Sequence, residues 1–316
     1  SIVNAANVPE MRFKSIRQMG MGGVGVATAR DHTALYTNPA ALSRLNEMKI
    51  TLPRFRMGPS TEFIDSIPSF QEIQNSSDEG EQLDLLTAMV PKNMIADISL
   101  DPIVALAAKD FGIGLYSSSL VKAGLLDSLD PVLELNSYSD IAPIIGYSKE
   151  LGVGEHKFAV GISGKFINRV RLYDKQTGAE TFTLDQAEIM EGVNNNDLID
   201  KVSNGTNAVI MSGIGIDLGV LTNITTALGK GEIGFALHNI GASVTGQKDL
   251  FDSSGNKTSD ENVTKEIPVT GVIGIGIDTS LPAAMGELAK SVGSFTIAID
   301  YKLISPDDSW AKNLFM

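Results

Sequence analysis

Residues 211–223 read "MSGIGIDLGVLTN", and in this stretch apolar side chains alternate with small or polar ones. The apolar set is Ile214, Ile216, Leu218 and Val220, and the other set is Gly213, Gly215, Asp217, Gly219 and Asn223. Successive side chains of a β-strand point to opposite faces, so this period of two predicts a strand with one apolar face. The same alternation returns in "EIGFALHN" (232–239), "VTGVIGIGID" (269–278) and "FTIAIDYKL" (295–303). The chain is therefore predicted to be all-β.

The pattern predicts nine strands, at 48–56, 95–108, 111–119, 138–150, 157–174, 207–223, 232–245, 266–279 and 294–303. Several reach the roughly 9–11 residues that cross a bilayer when a strand is tilted. Long connections at 57–94, 120–137, 175–206 and 246–265 alternate with tight turns, as in outer-membrane barrels. We therefore expect residues 48–316 to form an antiparallel transmembrane β-barrel with long extracellular loops. Apolar residues at helical spacing in 120–137 and 175–206 predict loop helices, either packed on the rim or offering a landing site for an apolar ligand.

The composition disfavours several classes of function. The 316 residues include no cysteine, which excludes disulfides and thiolate metal sites. The formal net charge of -13 argues against a nucleic-acid partner, because nucleic-acid binders present basic surfaces. The three histidines are His32, His156 and His238, and their spacing does not match any metal-ligand pattern. We expect no metal, no cofactor and no catalytic residue, and hence no enzyme.

Residues 19–43 read "MGMGGVGVATARDHTALYTNPAALS" and contain the spacing G-x-G-x-x-G at Gly20, Gly22 and Gly25. A dinucleotide-binding loop needs a buried strand before these glycines and a βαβ unit around them. The preceding "MRFKSIRQ" is basic rather than apolar, and no βαβ alternation follows. The glycines therefore do not fit a dinucleotide-binding loop, and the alternative is a place that needs small residues at close quarters. Further along, Asn38 is expected to cap a short helix that begins at Pro39.

The glycine-rich start, followed by "ALYTNPAAL" and long alternating strands, resembles the long-chain fatty acid transporter family of outer-membrane proteins (FadL and TodX type). It is also similar to the PorV-like proteins of the type IX secretion system and to TraF-like conjugal-transfer barrels. The resemblance rests on Gly20, Gly22, Gly23, Ala27, Asp31, Ala34, Tyr36, Asn38, Pro39 and Ala40. It implies an N-terminal hatch at residues 1–47, with Gly20, Gly22, Gly23, Asp31, Asn38 and Pro39 among its residues. It also implies about 14 strands, so either further strands follow Met316 or some were missed, for instance within 57–94, and we favour the first alternative.

Basic side chains on the fifth predicted strand are the main ligand-binding candidates. Lys165, Arg169, Arg171 and Tyr173 are two or four residues apart and so face one way. Inside a barrel they would hold a fatty-acid carboxylate or else pair with acidic neighbours. His238 on the seventh strand is a further candidate, as a ligand-binding or hydrogen-bonded interior residue. Pro143 removes a ladder donor and is the candidate for a lateral opening in the wall, or for a simple strand irregularity.

The sequence thus supports two main functions for a barrel in the bacterial outer membrane, in contact with its lipid. The first is passive uptake of a hydrophobic small molecule such as a long-chain fatty acid. The second is a non-transporting role as a docking component of a secretion or conjugation system. Uptake predicts an apolar tunnel from the 120–137 loop to the hatch, whereas docking predicts an interior blocked by polar contacts and an exposed patch on the loops. A soluble all-β adhesin, with a glycine-rich leader packed on its sheet, is the third alternative.

Overall fold

The structure, a computed structural model, describes residues 16–304 apart from 22, 77, 91, 127–129, 154–155, 196, 227–228, 253–254 and 281–293. The strands are β1 (Lys49–Thr51), β2 (Phe55–Pro59), β3 (Lys92–Ala108), β4 (Phe111–Leu126), β5 (Val132–Val153), β6 (His156–Asp174), β7 (Phe182–Leu184), β8 (Thr206–Thr226), β9 (Gly229–Phe251), β10 (Lys257–Glu266), β11 (Thr270–Ser280) and β12 (Ser294–Ile304). The helices are α1 (Ile16–Gly20), α2 (Ala34–Thr37), the 3-10 helix Pro39–Arg44, α3 (Thr61–Asn75), α4 (Glu79–Ala88), α5 (Gln186–Asn194) and α6 (Leu198–Gly205).

All twelve strands belong to one sheet, in which the main order is β1-β3-β4-β5-β6-β8-β9-β11-β12. β2, β7 and β10 lie off this path and pair with β3, β5 and β9. Every strand pair is antiparallel. The prediction of an all-β antiparallel architecture is confirmed. Among the described residues β12 pairs with neither β1 nor β2, so closure into a barrel stays a prediction.

The two faces of the sheet carry different kinds of side chain. The outer face, defined here as the side of Ile214 and Ile216, carries large apolar side chains that are exposed. The inner face, the side of Asp217 and Gly219, carries buried polar and charged side chains. Exposed members of the outer face include Ile113, Ile141, Ile145, Tyr147, Ile162, Phe166, Ile210, Leu218, Val220, Ile275, Ile297, Ile299 and Tyr301. Contiguous exposed apolar surface of this kind marks a membrane or protein contact.

Two of the predicted loops are in fact strand, which corrects the expectation for 120–137 and 246–265. β4 and β5 continue to Leu126 and from Val132, and β9 and β10 form a hairpin through 246–265. In the first hairpin Leu125 lies in an apolar cluster with Phe182 and Leu184 of β7. The apolar residues of 120–137 are therefore compatible with a strand whose apolar face is covered as well as with a helix, and their spacing alone did not distinguish the two.

The other two long connections do contain helices. The 57–94 connection holds α3 and α4, and 175–206 holds β7, α5 and α6. α3 begins after Ser60, whose Oγ accepts a hydrogen bond from the Phe63 amide, and Asp78 caps α4 in the same way. The helices share an apolar cluster built on Ile73, Leu86, Met89, Leu125, Phe182, Leu184 and Ile189. The described residues contain no helix of the length and hydropathy needed to cross a membrane.

Candidate functional site

The chain from residue 25 to residue 45, called the N-terminal segment below, is buried against the inner face of the sheet. All but three of its residues are buried, including the whole of α2. Its apolar residues form one cluster with strand residues that include Tyr116, Ile144 and Leu221. The segment thus fills the space beside the inner face at the level of these strands. The hatch predicted at residues 1–47 stays a prediction, and residues 1–15 and 22 of it lie outside the described residues.

Glycines of the strands make room for the N-terminal segment. A Cβ atom on Gly161 of β6 would collide with the backbone between Pro39 and Ala40. On Gly234 of β9 it would lie 2.6 Å from the Val26 carbonyl oxygen, closer than side chains approach. At Gly219, Gly274 and Gly276 a Cβ atom would also crowd atoms of the segment, and at Gly112 and Gly146 it would crowd the flexible side chains of Leu35 and Leu42. These seven glycines, called the glycine row below, let the segment lie close to the sheet. At Gly161 and Gly234, where the crowded atoms are backbone, a larger residue would force the segment away.

The glycines between residues 20 and 25, at the start of the N-terminal segment and just before it, differ in why glycine is needed. Gly23 has a φ of 89°, which only glycine adopts readily. A Cβ on Gly25 would crowd Gln18 and lie 2.8 Å from the Thr37 Cγ2 atom. Among the described residues, no atom lies within 4 Å of where a Cβ atom on Gly20 would be, so their packing does not explain this glycine. Gly22 lies outside the described residues. The predicted steric role therefore applies to Gly25 but not to Gly20.

Asn38 connects the N-terminal segment to itself and to the wall. Its Nδ2 donates to the carbonyl oxygens of Val26 at 2.9 Å and of Val220 at 3.1 Å. Its Oδ1 accepts from the Ala40 amide at 3.1 Å, which caps the 3-10 helix that begins at Pro39. The predicted cap is thus present, and the side chain is fully buried. No other side chain of this size offers two donors and an acceptor in this geometry.

Asp31 and His32 form the turn that leads into α2. The Asp31 carboxylate accepts from the Thr33 amide at 2.9 Å and from the Thr33 hydroxyl at 2.6 Å. Burial raises the pKa of Asp31, but the Thr33 hydrogen bonds and the nearby His32 and Arg17 lower it further, so the net shift is downward. Asp31 is therefore a local turn-forming residue in this structure, charged at neutral pH.

His32 is completely buried in the N-terminal segment. Its Nδ1 lies 3.2 Å from the Thr51 hydroxyl, its ring stacks on Tyr116, and its Nε2 has no hydrogen-bond partner among the described residues. Burial lowers the pKa of His32 and Arg54 lowers it further, while Asp31 opposes the shift. The ring is therefore neutral at pH 7.

Further polar contacts connect the segment to distant strands. The amides of Gly25 and Val26 both donate to one oxygen of Asp300 on β12, at 2.6 and 3.0 Å. Arg30 pairs with Glu232 of β9 at 2.7 Å. Arg44 pairs with Glu150 of β5 at 3.1 Å. Tyr116 of β4 donates its hydroxyl to the His32 carbonyl oxygen at 3.1 Å.

The candidate cations of β6 face the inner side together, and each contacts an acid. Lys165 Nζ lies 2.7 Å from Asp217 Oδ1, and Arg169 holds Asp140 through two hydrogen bonds of 2.7 Å. Arg171 Nη2 lies 2.8 Å from Glu180 Oε2. The geometry is that of the second alternative above, in which interior cations pair with acidic neighbours. A role in binding a carboxylate ligand stays a prediction.

The remaining candidates lie beside these pairs. Tyr173 is buried, and its ring lies under the Arg171 guanidinium at 5.9 Å and the Lys248 ammonium at 5.5 Å. His238 Nδ1 is 3.7 Å from Asp217 Oδ2. Asp217 thus lies between Lys165 and His238, and it also accepts the Asn239 amide at 2.8 Å. These contacts describe a polar interior network rather than an open ligand site.

Pro143 lies within β5, which continues past it without a change of register. β5 pairs with β6 at Ile141 and again at Ile144, with no pair between these two positions. On the other side Pro143 pairs with Leu115 of β4. The proline therefore interrupts one ladder locally while leaving the strands adjacent, and a lateral opening there stays a prediction.

Sequence reasoning missed the acidic partners of the interior and the glycine row. Asp217 had a usable signal, because it is the one acidic residue on the inner face of an alternating strand and lies between Gly215 and Gly219. Asp140, Glu180 and Asp300 had none, since their partners are 29, 9 and 275 residues away in the chain. In comparisons of the whole chain, no protein-family model, no curated protein and no solved structure matches it.

Proposed function

We propose that this chain forms an outer-membrane β-barrel whose interior is closed by its own N-terminal segment, and that it acts as a docking component of a secretion or conjugation system. The observation that carries the proposal is the filled inner face. Residues 25–45 pack against the inner face at the glycine row, and the ion pairs Lys165–Asp217 and Arg169–Asp140 occupy another part of that face. A protein built to conduct a ligand would leave a continuous lined passage there.

The outer face supports a place in a membrane. Its exposed isoleucine, leucine and aromatic side chains span at least β4 to β12. The opposite face is polar, so the sheet has the outward-apolar and inward-polar arrangement of transmembrane strands. An aqueous sheet would leave this apolar area in water at a cost of about 25 cal/mol per Å². Lipid around the outer face removes that cost.

The inner ion pairs support docking over conduction. Arg169 is 1% exposed, and its partner Asp140 is completely buried. Charges so deeply buried persist only when they are paired and hydrogen-bonded, and separating them leaves an uncompensated charge. A fatty-acid carboxylate would have to displace Asp140 or Asp217 from a cation that each already satisfies. The pairs therefore link β6 to β5 and to β8.

Exposed apolar side chains on the helices of the long connections are the candidate docking surface. Phe63, Ile64 and Ile67 of α3 are exposed although they lie on a helix whose other side packs on the apolar cluster. Ile199 of α6 is 83% exposed. Side chains of this kind on the loop end match the contact expected of a docking protein.

The proposal is tested by photo-crosslinking in the native envelope together with a transport assay. A photoreactive residue at Ile67 is expected to give a discrete protein adduct that the Ile64→Asp substitution abolishes. The matched position Ile275, on the outer face of β11, is expected to give lipid adducts alone. In vesicles the purified chain should move no fluorescent long-chain fatty acid. Fatty-acid flux by the wild type, or an adduct that Ile64→Asp leaves intact, would contradict the docking role.

Passive uptake of a hydrophobic small molecule is the second candidate, and the Arg171 site favours it. Glu180 comes from the turn after β6, is partly exposed and also pairs with Lys265, and it meets Arg171 through one contact, whereas Arg169 holds the buried Asp140 through two. This cation is therefore held less completely than Arg169. Uptake predicts fatty-acid binding that Arg171→Ala abolishes and that Lys201→Ala, which breaks an exposed pair, leaves unchanged.

A further inference from the structure

The first half of helix α3 presents an apolar face that the rest of the described chain leaves open. Phe63, Ile64 and Ile67 lie one to four residues apart, so they share one side of the helix, and all three are exposed. A different side of α3 is covered, and there Ser66 and Ile73 are buried. Large apolar side chains grouped in this way mark a contact with a membrane or with a protein.

The connection that carries this face is strongly acidic. Residues 57–91 contain seven acidic residues and no lysine, arginine or histidine, so they carry -7 of the formal net charge of -13. The seven are Glu62, Asp65, Glu72, Asp78, Glu79, Glu81 and Asp84. Glu62 and Asp65 alternate with the apolar residues of α3 and are exposed. Within the part of the chain that the structure describes, neither of these two carboxylates forms an ion pair, so the protein itself does not neutralise them.

This charge discriminates among the three surfaces that could cover the apolar face of α3. A helix that lies on a membrane surface carries Lys or Arg toward anionic headgroups, whereas α3 contains neither. A second copy of this chain would bring the same acids against each other, which is unfavourable. A protein segment that has apolar side chains flanked by Lys or Arg fits both features. Its cations would lie beside the carboxylates while its apolar groups cover the isoleucines.

We infer that the apolar face of α3 binds a basic amphipathic segment of a partner protein. The apolar side chains of that segment lie on Phe63, Ile64 and Ile67, and its cations lie beside Glu62 and Asp65. The inference rests on the proposed docking role and names the chemistry of the partner at that site. Helix α4 shares an apolar cluster with α3, so its exposed acids extend the same negative field. Complementary charge of this kind selects partners and speeds association, and salt weakens it.

Binding is measured with the full chain in phosphatidylcholine nanodiscs, with empty nanodiscs as the baseline. The probe is a dye-labelled peptide of sequence KWKKWK, and the comparison peptides are KSKKSK, which lacks the apolar groups, and EWEEWE, which has the opposite charge. The wild type should prefer KWKKWK to both, and the preference over EWEEWE should fall as salt is added. Ile64→Ser should remove most of the preference over KSKKSK, because it removes apolar contact and leaves the charge unchanged.

Two matched charge variants locate the contact. Glu62→Gln with Asp65→Asn should weaken KWKKWK binding about fivefold, as expected for two exposed charge contacts. The control, Glu47→Gln with Asp278→Asn, removes the same charge from exposed positions at the end of the sheet where the tight turns lie. It should change KWKKWK binding by less than about twofold, because these positions are outside the α3 face.

Charge reversal keeps the inference falsifiable if the neutral variant is disturbed. Glu62→Lys with Asp65→Lys should lose KWKKWK and gain EWEEWE. Equal binding of the three peptides by the wild type, or an equal loss in the control variant, would overturn the inference. The adduct at Ile67 separates this result from the docking role. A protein adduct that persists unchanged in Glu62→Gln with Asp65→Asn and in high salt refutes the basic partner alone, whereas lipid adducts alone at Ile67 refute docking at α3.

Discussion

Replacing Gly219 of β8 with alanine should loosen the N-terminal segment. A Cβ at this position would collide with the Asn38 Oδ1 atom and lie 3.0 Å from the Ala40 amide nitrogen. Asn38 would have to move, and its three hydrogen bonds, to Val26, Val220 and Ala40, would be lost. At roughly 1 kcal/mol each the loss is about 3 kcal/mol. The opening equilibrium of the segment should therefore rise about 100-fold.

Hydrogen exchange of the amides in residues 26–45 measures this opening. In the regime where exchange follows the opening equilibrium, Gly219→Ala should speed it about 100-fold. Gly164→Ala is the matched control, because Gly164 lies on the outer face of β6 with open space around it. It should leave exchange in the segment unchanged. Unaltered exchange in Gly219→Ala, or an equal acceleration in Gly164→Ala, would refute the steric role of the glycine row.

Three further predictions concern charges. Asp217→Ala leaves the Lys165 charge buried and unpaired, so it should cost about 3–5 kcal/mol of unfolding free energy, whereas Asp217→Ala with Lys165→Met should recover most of it, as read by chemical denaturation. Because the pKa of His32 is lowered in the folded protein, the unfolded segment binds more protons below about pH 6.5. The stability of the segment should therefore fall on acidification by up to about 1.4 kcal/mol per pH unit. In His32→Gln, the hydrogen exchange of residues 26–45, corrected for intrinsic rates, should lose this pH dependence. Asp300→Ala removes the acceptor of the Gly25 and Val26 amides and should increase proteolysis at the start of the segment, while cleavage that stays at the wild-type rate would show that this anchor is dispensable.

The alternation in 211–223 was sufficient to predict which side chains of β8 share a face. The structure has Ile214 and Ile216 on the outer face and Asp217 and Gly219 on the inner one, as expected. This succeeds because the pleat of a strand sends successive side chains to opposite sides whatever lies beyond them. The cap of Asn38 on the 3-10 helix is equally local, since acceptor and amide are two residues apart.

The sequence pattern did not predict where the strands end or which parts of the chain cover them. The hairpin at 120–137 is strand because helices from 57–94 and 175–206 cover its apolar face, and no period within 120–137 encodes that cover. The same holds for β7 and β10, which exist by pairing with β5 and β9. Tertiary packing overrides a short ambiguous pattern.

The sequence by itself determined the strand class, the two faces of the long strands and the common direction of the β6 cations, because these follow from the geometry of one chain segment. Only the tertiary structure decided what each inward group meets. Lys165 could have faced a ligand or an acid, and pairing with Asp217 depends on the register of β6 against β8. From the sequence, Gly219 could have marked a bend in the strand or a position where another part of the chain packs closely. It is the second, because the N-terminal segment lies against it. Contacts between residues far apart in the chain are set by burial and register, which the spacing of residues within one strand does not contain.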